Sequence, residues 1–209
     1  MQAQTEKLQP FKISIPTVET NPEELLVQIQ KVARIDKGAV NMENKKLCFF
    51  GDTNKVMILN VAGETWQVKS IQPNGCEFLY YSAAVTLPNG DALITGGGSS
   101  SNVYQYQLDK NRLIQLKSMN QMRKEHAAVI NQGQYVYVMG GYDGAQNHFL
   151  NCCEVYNIQT DQWKYFAPMN ISKCAFSATV VNQHFIYTFG GYDGSKRLDA
   201  IEQYDIKEG

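Results

Sequence analysis

A ten-residue phrase, Tyr135–Gly144 (YVYVMGGYDG), returns fifty residues later as Phe185–Gly194 (FIYTFGGYDG). Each copy is an apolar run rich in β-branched and aromatic residues, followed by two glycines and Tyr-Asp-Gly. Such a run predicts a strand buried on both faces. The glycine pair marks a bend or a close backbone approach, and Asp-Gly predicts a tight turn because glycine reaches positive φ cheaply. One copy would indicate a hairpin; two demand a search for a period.

Alignment on the double glycine brings in Leu93-Ile94-Thr95-Gly96-Gly97, 44 residues before Val138-Met139-Gly140-Gly141, with Thr188-Phe189-Gly190-Gly191 a further 50 on. A fainter copy, Cys48-Phe49-Phe50-Gly51-Asp52, lies 45 residues before the first of these. Upstream of each sits a run of small residues: Lys37-Gly38-Ala39-Val40, Ser82-Ala83-Ala84-Val85, His126-Ala127-Ala128-Val129 and Ser177-Ala178-Thr179-Val180. Small side chains suit strands that crowd a common axis. Downstream come the alternating segments Lys55–Asn60, Asn102–Leu108, Asn151–Ile158 and Ala200–Ile206. Three of the four lead through a polar turn into an outer strand opened by Trp66, Leu113 or Trp163. The unit is therefore four short strands in about 45–50 residues, and a four-stranded sheet repeated radially is a propeller blade. The expected class is all-β.

These units resemble Kelch repeats, with the double glycine, a tyrosine some fifteen residues on (Tyr156; Tyr204 at thirteen) and Trp163 seven after Tyr156. The motif is fullest in the third unit and faintest in the first. The resemblance covers residues 33–209, in units of about 33–72, 78–118, 122–167 and 172–209, and implies a Kelch-type β-propeller of about four blades, as a small ring or a partial one. In residues 1–32, Phe11–Ile15 alternates like a strand, and Leu25–Gln30 falls where an outer strand is due. The competing reading is a helix starting at Asn21-Pro22-Glu23-Glu24. A strand pair here is expected to complete a blade, since the sequence stops at Gly209 where the fourth outer strand is due. Otherwise the chain is a piece of a longer array, or two chains complete one another; an open end would expose unpaired strand edges.

A net charge of −1 gives no footprint for nucleic acid or an anionic membrane. No apolar run approaches the roughly 20 residues of a spanning helix. Five cysteines without CxxC spacing read as reduced thiols of a cytoplasmic protein. Adjacent Cys152 and Cys153 would point to opposite faces of a strand, which argues against a redox or metal pair. With only His126, His148 and His184 available, no metal or cofactor is expected. Gly96–Ser101 lacks the lysine of a phosphate loop, and there is no nucleophile elbow.

A binding role has more to draw on. Five residues before the second small residue of each inner strand stand Arg34, Leu79, Arg123 and Lys173. In Kelch domains that recognise acidic peptides, arginines at this position line one mouth of the central channel. The loops after the double glycine, carrying Asp52, Ser99, Tyr142, Asp143, Tyr192 and Asp193, are expected beside them. Asp143 and Asp193 also read as turn formers, while Trp66, Trp163, Tyr156 and Tyr204 read as packing between blades. The expectation is a non-catalytic module that holds an acidic or polar segment of a protein partner. Family members act as substrate receptors of cullin ubiquitin ligases or as actin-binding organisers. The alternatives are a propeller enzyme of the sugar-isomerase or oxidase type, and a structural subunit that binds through blade edges.

Overall fold

The computed structural model describes residues 46–50, 55–60, 65–71 and 79–208. Arg34, Asp52 and the strands expected before residue 46 lie outside them. Fourteen strands and no helix occur among the described residues, in four antiparallel sheets. The first holds β1 (Lys46–Phe50), β2 (Lys55–Asn60) and β3 (Thr65–Ser70). The second holds β4 (Ala83–Thr86), β5 (Ala92–Thr95), β6 (Val103–Gln107) and β7 (Arg112–Leu116). The third holds β8 (Ala127–Asn131), β9 (Tyr135–Asp143), β10 (His148–Asn157) and β11 (Gln162–Phe166). The fourth holds β12 (Ser177–Val181), β13 (Phe185–Tyr192) and β14 (Arg197–Asp205).

In every sheet neighbouring strands are sequence neighbours, so each unit is a meander. The small-residue strands lie innermost, β4 against β8 and β8 against β12. This is the blade arrangement the repeats predict. β5 stops before its glycine pair, but in the third and fourth sheets the pair does not end its strand. β9 runs through Gly140 and Gly141 to Asp143, and the β9–β10 register slips between Leu150 and Cys153. His148 opens β10.

The core lies between sheets, because strand alternation sends successive residues to opposite neighbours. On β9, Val136 and Val138 pack with Leu93 and Val103 of the second sheet. Tyr137 and Met139, one residue out of step, pack with Phe176, Ile186 and Tyr204 of the fourth. Val56 and Ile58 join Ile94 and Tyr106 in the same way between the first two sheets. Tyr156 and Trp163 sit in one of these layers, their rings 4.9 Å apart. Trp163 Nε1 donates to Lys117 O at 2.8 Å. Tyr204 meets Phe166 across the other layer at 4.8 Å. These three side chains do pack between blades; the side chain of Trp66 lies outside the described set.

Candidate functional site

The loops at one end of the sheets are fastened to each other by backbone. Gly97 N donates to Arg123 O and Gly141 N to Lys173 O, both at 2.9 Å, so each glycine pair holds the entry loop of the next blade. A Cβ on Gly141 would lie 2.7 Å from Lys124 O, at a φ of +101° that side chains avoid. A second seam joins Tyr81, Glu125 and Ala175, which share one register position and one left-handed conformation (φ 63°, 54° and 51°). Glu125 N donates to Tyr81 O at 2.9 Å, and Ala175 N to Glu125 O at 2.8 Å. These bonds repay the left-handed backbone cost of about 1–2 kcal/mol per residue.

On this frame two members of the expected basic cluster, Arg123 and Lys173, are buried. Arg123 is fully buried, donating to Glu154 Oε1 at 2.7 Å, Gly140 O at 2.7 Å and Cys152 O at 3.0 Å. Glu154 also accepts from Asn120 N and Asn120 Nδ2, each at 2.7 Å, and from Gln121 N at 3.1 Å. The fourth blade repeats the design. Buried Lys173 Nζ lies 3.0 Å from both Glu202 Oε1 and Thr188 Oγ1, and Glu202 accepts from Asn170 N at 2.6 Å. Both cations were expected to meet a partner. Instead each is neutralised by a carboxylate of its own blade, and removing either would strand a buried charge.

The acidic positions are structural as well. Asp143, almost fully buried, accepts from Ala145 N at 2.8 Å, Gln146 N at 3.0 Å and Gln121 Nε2 at 2.6 Å. Asp193 accepts from Ser195 N and Lys196 N, both at 2.8 Å, and these amide donors lower its pKa. Each caps its turn.

The aromatic positions do reach solvent, in company the sequence did not fully declare. Tyr80 (53% exposed) and Tyr81 (59%) stand with ring centroids 5.3 Å apart and nearly perpendicular. Lys124 follows, then Tyr142, with Phe149 5.1 Å from Tyr142 and 5.7 Å from Tyr192 (39% exposed). Ser99, exposed, abuts Gly144 in the same region. Tyr142 OH donates to Asn147 Oδ1, and Tyr192 OH to Gly194 O at 2.9 Å. A band of aromatic rings thus crosses three blades, with one lysine within it. Phe149 and Lys124 escaped the sequence reading because neither occupies a repeat-motif position.

Residues 123–170 and 173–209 match the sequence model of the Kelch motif. The third and fourth units are thus Kelch repeats. It is 36% identical over 98 residues to Kelch-like protein 6 of Homo sapiens, covering 46% of this chain and 15% of that protein. With Kelch domain-containing protein 10 of Rattus norvegicus it shares 29% identity over 142 residues, covering 62% of this chain and 34% of that one. The chain spans about a third or less of the length of these relatives.

Among the units, the second departs as a set. Leu79 stands where the third and fourth have Arg123 and Lys173, and Tyr104 where they have Glu154 and Glu202. Cation and carboxylate are replaced together, as a buried pair requires. Cys153 is held in the core with its thiol pushed up to about 12 by burial, while Cys152 Sγ accepts from Arg123 Nη2 at 3.5 Å. The adjacent thiols therefore serve different neighbours. Among the described residues no three His, Cys, Asp or Glu side chains converge as metal ligands.

Proposed function

We propose that the chain is a non-catalytic protein-recognition module whose contact surface is the aromatic band on its loop face. The observation that carries this is the band of Tyr80 and Tyr81, then Tyr142, Phe149 and Tyr192, across three blades, its two ring groups bridged by Lys124. Tyrosines on a rigid frame give large contact area at low entropic cost, with a hydrogen-bonding tip. Ser99 extends the polar edge of this surface. The buried cations narrow the expected partner from an acidic segment to a polar one, because Arg123 and Lys173 have their counter-charges already. Asp143 and Asp193 hold the loops that present Tyr142 and Tyr192. Free Cys152, Cys153 and Cys174 fit a reducing compartment, and we place the protein in the cytoplasm. No helix among the described residues is long and apolar enough to cross a membrane.

The test is affinity capture with the intact chain, followed by affinity measurement on each purified partner. Replacing Tyr81 and Tyr192 with serine is expected to weaken a genuine partner about 30-fold or more, as interface tyrosines do, while the melting temperature holds. Unchanged affinity in this folded variant would remove the loop face from the reading.

A second reading is favoured by a different surface. The fourth sheet turns Phe185, Tyr187 and Phe189 away from the third, with Phe189 41% exposed. That face suits a further sheet of the same kind, such as that of a second copy.

A further inference from the structure

The lysine within the band sits in an unusual setting. Lys124 Nζ lies 5.9 Å from the ring centroid of Tyr80, 5.9 Å from Tyr81 and 5.4 Å from Tyr142. Tyr80 and Tyr81, in the turn before β4, stand at 81° to each other, and Tyr142 comes from β9. Rings set at angles around one ammonium are the arrangement by which proteins bind alkylated cations.

We infer that Tyr80, Tyr81 and Tyr142 form a cation cage, filled in the free protein by Lys124 and open to an alkylammonium side chain of the partner, a methylated lysine foremost. This rests on the loop face being the recognition surface, and it gives that surface a ligand chemistry.

The cage walls are fixed before any ligand arrives. Tyr80 O accepts from Gly98 N at 2.8 Å, and Tyr81 O from Glu125 N at 2.9 Å. Lys124 N donates to Tyr142 O at 3.1 Å and Tyr142 N to Lys124 O at 2.9 Å, a two-bond bridge. Tyr142 OH is held by Asn147. The backbone of all three tyrosines is therefore anchored, whereas the lysine is tethered by a flexible four-carbon stem and can swing aside. The repeat register singles the site out. The third blade pairs Lys124 with Tyr142 where the fourth pairs Cys174 with Tyr192, and the second joins Tyr80 to Gly98. Only the middle pair of the three couples a cation to a ring. A methylated ammonium suits the cage better than lysine, since it is less strongly hydrated and gives up less on leaving water.

The probe is acetyl-trimethyllysine methylamide, with its uncharged tert-butyl analogue as control, titrated against the 209-residue chain while tyrosine ring protons are followed by NMR. Lys124→Ala is expected to bind the cation more tightly than the wild type does, because the internal competitor is gone, and to bind the neutral analogue more weakly. Adding Tyr142→Ala should weaken binding roughly 2–5-fold, the effect of one exposed ring. Absence of cation binding to Lys124→Ala, indifference to Tyr142→Ala, or equal binding of the neutral analogue would each overturn the cage. The broader reading is separable: a partner that Tyr81→Ser/Tyr192→Ser loses but Lys124→Ala keeps at unchanged affinity leaves the face standing and the cage refuted.

Discussion

His126 is buried at the start of β8, its Nε2 2.8 Å from Thr95 Oγ1 of the second sheet. Burial, reinforced by the nearby Arg123 charge, lowers its pKa to about 3. The unfolded chain takes up a proton near pH 6.5 and the folded chain resists until about pH 3, so the neutral ring favours the fold fully above 6.5. Between these values each unit of acidification removes roughly 1.4 kcal/mol of stability at this residue. The fourth repeat carries Phe176 at the same register, which makes His126→Phe the natural control. Urea unfolding across pH should show wild type losing stability faster than the variant below pH 6.5, and parallel curves would contradict the assignment. Thr95 keeps an acceptor in Ala83 O at 3.4 Å, so the substitution orphans no hydroxyl.

At the scale of one blade, the cation–carboxylate pair ties the entry loop to the third strand. Arg123→Ala leaves Glu154 buried beside empty space, and the expected loss of unfolding free energy is about 3–5 kcal/mol. The second repeat supplies the compensating change in Leu79 and Tyr104. The double variant Arg123→Leu/Glu154→Tyr should therefore be more stable than either single variant, a coupling that denaturant midpoints in a double-mutant cycle measure. Additive losses would deny the pair its role. This pair also marks where the sequence became opaque. The strand recipe, the glycine pairs and the inter-blade rings were legible, since each depends on local alternation or on a backbone demand that glycine alone meets. A cation before an inner strand looks the same whether it faces solvent or a carboxylate two strands away. The missing signal lay in the last three units: Glu154 and Glu202, each two residues before the repeat tyrosine, accompany Arg123 and Lys173, and both features vanish together in the second unit, although the first unit keeps Arg34 with Met57 at the carboxylate register. Tyr142 and Tyr192 were found because they follow the glycines; Lys124 and Phe149 depend on three blades meeting, which no single unit encodes.

Across the four described sheets, the outer two differ from those between them. Here Phe185, Tyr187 and Phe189 hold the register of Tyr135, Tyr137 and Met139, residues that the third blade covers with the fourth. At the other end Val68, 63% exposed, pairs in register with Met57, on the face opposite the buried Val56 and Ile58. One end offers the face that a following blade would cover, the other the face that a preceding blade would cover. Contact between them is head-to-tail, which closes into a ring when the rotation per sheet permits. Two copies would bring together eight described sheets (two sets of four), within the range of closed propellers. Native mass spectrometry and sedimentation of the 209-residue chain should accordingly show concentration-dependent association. Tyr187→Glu/Phe189→Glu should lower the association constant by two orders of magnitude or more, since burying each ring contributes about 1.5–3 kcal/mol. A chain that stays monomeric at its highest soluble concentration would mean that these faces do not seek one another. Association that survives both glutamates would place the contact on another surface.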